Sequence, residues 1–411
     1  MSRAHLFLLA GALAIHGSLS SQGSLWLVDG DGGPGVDFLA IQDAIDAASE
    51  GDAVLVRAAA SSYDAFSIDG KSLTVLADPA DAPVVALSFF VPTEVKNLTA
   101  SQRVTLIGFR LSLEVSNNAG SVWLEELLLE PTGVFDLGSD ALHVAASNAV
   151  VVSRCFAKGE SSDSPGALAG AGIRVAADSS VAAYESTFEG GRGLGGCFAG
   201  GSHGGHGAVI AGTLFASDCV FAGGNGGDFD DCLPGFTSFP TDGGDGARLE
   251  GASAQLETLA SSLVAGLAGE PGEFPEADDG VPLAEGSGTW IDLAGGSGAF
   301  ASAGPVVEGA NLELSITGPA GDFVFGIASP LAGLLPLPGF SGPLTTGVPF
   351  NLHSIGFLPA SGATELMIGT EDLGGGIEFL VRYVQPLVVS PSLEFVLGAP
   401  TTLVVLDDGA P

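Results

Sequence analysis

The residues that could do chemistry crowd into the middle of the chain. Asp230-Asp231 is a pair of carboxylates, and such pairs can divide acid and base work. Upstream stand Ser202-His203-Gly204 and Gly205-His206-Gly207, whose imidazoles, three residues apart, could also ligate a metal, although ordering a Gly-rich loop for that is costly and favours plain surface histidines. Arg154, Lys158, Arg174, Arg192 and Arg248 are the basic residues of the same region. GGNGGDFDD, 223–231, partly follows the Ca²⁺-binding nonapeptide GGxGxDxUx. Asp228 holds the ligand position, but Asp230 stands where the large apolar residue belongs and Phe229 comes one place early. The other GGxG tetrads, starting at Gly190, Gly204 and Gly243, lack that Asp, so a tandem calcium roll is not supported. Asp228 with Asp230 or Asp231 is therefore the candidate set for one weak Ca²⁺ site. The alternative is that these acids fan out into water. No other cofactor is indicated. The Gly-rich runs follow no Rossmann strand, and Cys155, Cys197, Cys219 and Cys232 contain no C-x₂-C zinc pair.

Those residues hang on a repeat. ALHV (141–144), GIRV (172–175), GAVI (207–210) and GARL (246–249) begin four units alike. Each unit passes a polar turn into a second strand and ends on an apolar position: Phe156, Phe188, Phe221 or Leu263. Units of roughly 20 residues of strand and turn predict stacked coils with about 4.8 Å between neighbours. Val144, Val175, Ile210 and Leu249 should then form one inward ladder, and the four unit ends another. Arg174 and Arg248 share a repeat position with His143 and Val209, pointing outward. The 84–130 stretch has the same texture and reads as earlier coils. The tetrads bracket the long loops 190–207 and 223–246, where glycine is expected for sharp turns at positive φ. Both loops should leave one side of the stack, which predicts a Cys197–Cys232 disulfide. Cys155 and Cys219, two coils apart, should be buried thiols.

Composition agrees with many short strands and turns, since 63 Gly and 23 Pro do not suit a helical protein. A net charge of −36 disfavours nucleic acid and anionic membranes as partners. Residues 1–20 read as a signal peptide, with Arg3, the apolar run Leu6 to Ile15 and small residues near Ser20. Export predicts a secreted or cell-surface protein, with no membrane insertion after signal removal. From about Ser287 the repeat gives way to strands such as NLELSI, DFVFGIA and TTLVVLD. These predict a β-sandwich over 287–411, after a coil domain over 21–286.

IQDAIDAASEGDAVLV, Tyr63, Phe66 and IDGKSLTVLAD resemble the N-terminal cap of right-handed parallel β-helix proteins, the pectate-lyase-like superfold. Phe38, Ile41, Ile45 and Ala48 fall on one face of a helix over Asp37 to Asp52, which Asp37 and Gly51 can cap, and the resemblance implies that this helix closes the first coil. GPAGDFVFGIAS, LPLPGFSGPL and FLPASG resemble C-terminal domains of exported planctomycete-type proteins, which implies an accessory, sorting or anchoring module. Polygalacturonase-like enzymes of this superfold carry NTD, DD, GHG or SHG, and RIK in that order. Here the His motifs precede Asp230-Asp231, and NTD and RIK are missing. The sequence therefore points to no catalytic residue. It predicts an exported structural or glycan-binding β-helix, with an extracellular polysaccharide or cell-surface component as partner. The alternatives are a polysaccharide lyase or glycoside hydrolase, and a cation-binding adhesin.

Overall fold

The computed structural model describes residues 23–78, 84–85, 91–131, 138–162, 164, 166–194, 201–228, 240–270, 277–370 and 372–408. The chain is all-β, with one short helix among these residues, and divides into two compact units, 23–295 and 296–410.

The first unit consists of three parallel sheets that the chain visits in turn. Arg103–Ile107 lies in a ten-stranded sheet, Phe109–Leu111 in a seven-stranded sheet and Leu113–Asn118 in an eight-stranded sheet. The chain then returns to the ten-stranded sheet at Ser121–Glu125, directly beside Arg103–Ile107. Each circuit is one coil, and each strand pairs with its equivalent in the coils before and after. The last strand, Thr289–Leu293, pairs with Gln255–Leu259, so the stack runs past the 286/287 boundary read from the sequence.

Side-chain alternation decides what lies inside. The expected ladder Val144–Val175–Ile210–Leu249 is in register and buried, and it extends back through Val115 and Val95 to Ile68. The second ladder differs at one rung. Phe188 pairs with Phe221 and Phe221 with Leu263, but Ala157, not Phe156, stands beside Phe188. Phe156 aligns with Thr187 and is only partly buried, while Ala157 is fully buried. The strand Val150–Ser153 pairs Val150 with Val181, and this register places Phe156 one residue short of the inward position. In this column the small Ala157 is followed by two large rings, Phe188 and Phe221, stacked 5.2 Å apart and nearly parallel.

The helix is shorter than expected, Ile41–Ala47, with Ile41, Ala44 and Ile45 buried. Asp37 does not cap it. Its carboxylate instead accepts the Leu27 amide at 2.9 Å, and Ala40 is the N-cap. At the other end Ala48, not Gly51, is the C-cap. The Lys71 ammonium donates to the carbonyls of Ile45 and Ala48, at 2.8 and 2.7 Å, where a cation also favours the helix dipole.

Where described, the Gly-rich connections between the seven- and eight-stranded sheets are ordered legs tied backbone to backbone. The amides of Gly190 and Gly193 donate to Ala222 and Asn225, and those of Gly204 and Gly207 to Asp242 and Asp245. Gly223 and Gly226 donate likewise to Val264 and Leu267. Partners recur every third residue, the repeat of a polyproline II chain. Outgoing and incoming legs are cross-linked as well: Gly205 donates to Gly191, Gly224 to Gly205, Gly244 to Gly224 and Gly266 to Gly244, each at 2.8 Å. The expectation of positive φ at the tetrads is thus corrected. Gly190, Gly204, Gly223 and Gly243 are outside the left-handed region. Glycine is needed there because a Cβ would strike backbone. On Gly205 it would stand 2.0 Å from the Gly170 carbonyl oxygen, on Gly224 1.9 Å from that of Gly191, and on Gly244 1.8 Å from that of Gly205.

The second unit is mainly antiparallel and shows no coil repeat among its described strands. Ala299–Ser302, Asn311–Thr317 and Ala363–Gly369 form one sheet. Val306–Val307, Thr401–Leu406, Phe379–Val389, Phe323–Ser329 and Asn351–Phe357 lie side by side in another, with Phe395–Leu397 added on Phe379–Val389. Alternation is clear in Asn311–Thr317, where Leu312, Leu314 and Ile316 are buried. The Phe300 ring of the first sheet fills the space left by Gly326 of the second, 3.7 Å from where a Cβ would lie.

Candidate functional site

Strand register builds a row on the eight-stranded sheet whose members are at least partly exposed except at the buried Val209. Glu94, Glu114, His143, Arg174, Val209 and Arg248 follow one another, one coil apart. The shared position of His143, Arg174, Val209 and Arg248 was legible in the sequence. The anchoring of their partners was not. Arg174 pairs with Asp140, whose other oxygen accepts the Ala171 amide at 2.8 Å. Arg248 lies 3.8 Å from both Asp245 and Glu250.

His206 stands beside this row and is buried, not a surface histidine as the Gly-rich sequence suggests. Its Nδ1 accepts the Asp245 amide at 2.9 Å, and the Asp245 carboxylate lies 3.4 Å away. Burial holds its pKa below the ordinary imidazole value. The Asp245 carboxylate opposes that shift, while the guanidinium groups of Arg248 and Arg174 add to it. A neutral imidazole has one acceptor nitrogen, and here it is already used.

The acids of the legs act as clasps. Asp228 accepts the Glu270 amide at 3.1 Å and forms an ion pair with Arg192. Asp242 accepts the Asp278 amide at 3.0 Å and lies 3.5 Å from His203. Asp245 accepts the Val281 amide at 3.0 Å. Of the proposed Ca²⁺ set, Asp228 is thus engaged with the next coil, and Asp230 and Asp231 lie outside the described residues. So do Cys197 and Cys232. Cys155 and Cys219 are buried free thiols, each pushed up to about 12 by burial. The Cys155 and Cys219 amides donate to the hydroxyls of Ser186 and Ser261, both at 3.0 Å, so serines alternate with the thiols along this column.

A second cluster was not anticipated. Where the chain leaves the ten-stranded sheet, Gly108, Glu126, Arg154, Glu185, Asp218 and Ala260 stack one above another, all with φ between 46° and 80°. Left-handed backbone is costly for residues with a Cβ. Here each amide from Glu126 to Asp218 donates to the next coil, at 2.9 to 3.0 Å. Arg154 forms an ion pair with Glu125 and lies 3.4 Å from Glu126 and 3.9 Å from Glu185. Burial raises the pKa of Glu126, Glu185 and Asp218 above the usual carboxylate values. Acids that hold their protons longer than usual, next to a guanidinium, can work in proton transfer. The sequence signal was the run of charged residues at one coil position, but it is visible only once the coils are in register.

In the second unit Glu308, Asp407 and Asp408 have ligand atoms within 4.8 Å of one another, near enough to share a divalent cation. Glu308 also accepts the Leu373 amide at 2.6 Å. Among the described residues no helix is long and apolar enough to cross a membrane. A scan of the chain against protein-family models finds no match, and neither does a comparison with curated proteins.

Proposed function

We propose that this is an exported structural and glycan-binding protein of the right-handed parallel β-helix kind, related in architecture to the pectate-lyase-like superfold. In this reading the helix Ile41–Ala47 caps the first coil, residues 296–410 form an accessory β-sandwich, and residues 1–20 are the export signal. The near-universal right-handedness of parallel crossover connections supports the hand of the coil. The observation that carries the function is the outward row from Glu94 to Arg248. Its six positions extend about 24 Å at the ~4.8 Å spacing of paired strands, and all but the buried Val209 are polar, a linear track suited to an extended polymer. With a net charge of −36, an uncharged polysaccharide is the favoured ligand.

The second reading, a polysaccharide lyase or hydrolase, is favoured by the raised acids of the left-handed corner. One experiment addresses both. Purified protein is applied to an array of neutral and uronate glycans, and released sugars are measured in the same wells. Binding without product, lost in Arg174→Ala/Arg248→Ala, is the expected result. Product that disappears in Glu185→Gln would move the function to the corner. Absence of any binding would leave a purely structural role.

A further inference from the structure

From Phe323 to Thr364 the sequence contains no Asp, Glu, Lys or Arg, in a chain of net charge −36. Within this segment Asn351–Phe357 is the terminal strand of its sheet, so its outer backbone edge faces no described strand. Its apolar side chains are open to solvent, with Leu352 54% and Phe357 73% exposed, and Phe350 just before it 44%. The register shifts between Val324 and Phe325, which puts Leu352 opposite Ile327, Ser354 opposite Phe325 and Phe357 opposite Phe323. This bulge brings Leu352 and Phe357, five residues apart, to the same face as Ser354. The Phe357 ring meets Phe323 edge-on at 4.8 Å, yet most of it remains uncovered. Edges are commonly blunted by lysines or inward charges, and this one has neither.

We propose that this edge pairs with the same edge of a second copy, antiparallel, about a twofold axis near Ser354, the middle residue of the strand. Charge selects the partner. A second copy also brings −36, so acidic faces of the two molecules repel. The charge-free segment is where two such chains can meet, and a twofold contact uses the same patch on both. Pairing joins the two open edges and covers Leu352 and Phe357 from both copies.

The test uses the purified full protein in sedimentation velocity over a range of concentrations and salt. Reversible dimers are expected, strengthened by salt as the mutual repulsion is screened. Across an antiparallel pair, Cα atoms are about 5 Å apart, within disulfide reach. Ser354→Cys should therefore cross-link the dimer under mild oxidation, and Ser361→Cys, beyond the strand, should not. Leu352→Lys should give monomers with an unchanged melting temperature. The proposal is overturned by a protein that stays monomeric at every concentration and salt. It is equally overturned by a dimer that Ser354→Cys fails to cross-link and Leu352→Lys fails to separate. Monomers that bind neutral lipid vesicles or polysaccharide through Phe357 would assign the patch to that partner instead.

Discussion

Neighbouring coils are held together at Phe188 and at Gly205 by opposite means. At Phe188 two rings stack inside the core and exclude water, and the contact consists of side chains. At Gly205 the backbones of adjacent legs touch, carbonyl to amide, with no room for a single carbon between them. The first contact tolerates any apolar group of similar volume, as cores generally do. The second tolerates only glycine, since a backbone carbonyl cannot rotate away like a side chain. Apolar burial dominates in one region, and close backbone hydrogen bonding in the other. The same coil-to-coil spacing serves both.

Substitutions can break this comparison on either side. The largest effect is expected for Phe188→Ala, which removes a fully buried ring beside the small Ala157 and should cost ~3–5 kcal/mol in denaturant unfolding. A loss below about 1 kcal/mol would mean that the ring is not a core contact. On the glycine side, Gly244→Ala sets a Cβ 1.8 Å from the Gly205 carbonyl and should cost about 1–3 kcal/mol. Its control is Gly375→Ala, which meets nothing within 4 Å and should stay within about 0.5 kcal/mol of the parent. If the two alanine variants unfold alike, the legs do not carry the close packing described.

A smaller effect separates the left-handed corner from the leg clasps. Burial raises the pKa of Glu185, Glu126 and Asp218, so the native protein binds their protons more tightly than the unfolded chain does. Their favourable contribution is complete below the ordinary carboxylate pKa and is lost as pH rises through the raised values. Glu185→Gln keeps the shape without the charge. Relative to the parent, its melting temperature should therefore rise between pH 4 and pH 7, and a difference that does not change with pH would refute the assignment. The smallest effect is chemical. Cys155 and Cys219, with thiols pushed up to about 12, should resist alkylation at pH 8 until the protein is unfolded, as peptide mapping would show. Labelling of either in the native state would mean that its coil opens readily.

How far each feature was legible follows from where its partners lie. Inward positions such as Val144 and Val175 can be read because alternation is a property of the strand itself. The outward row through Arg174 and Arg248 can be read too, because the repeat aligns the units before any contact is known. The GGxG tetrads announce the legs, but the sequence suggests turns, since positive φ is the commoner use of glycine. Their actual reason, the carbonyl of a residue in the next coil, has no local trace. Phe156 shows the same limit at one position. Its apolar character marks it as a unit end, yet the pairing of Val150 with Val181 moves the inward place to Ala157. His206 looks like a surface residue among glycines, yet in the fold it is buried, with Asp245 and Arg248 of the following coil against its ring.

Periodicity along the chain therefore determined that there would be coils, how long they are and which strand face turns inward. All of these depend on the order of apolar and polar side chains over a few residues. Register between coils was decided only in the folded molecule. A shift of one residue costs nothing locally and is penalised only when dozens of backbone and side-chain partners from the next coil must fit at once. The glycine ladder, the left-handed acidic corner and the burial of His206 all arise at that second step, from atoms far apart in sequence meeting at the spacing of two paired strands.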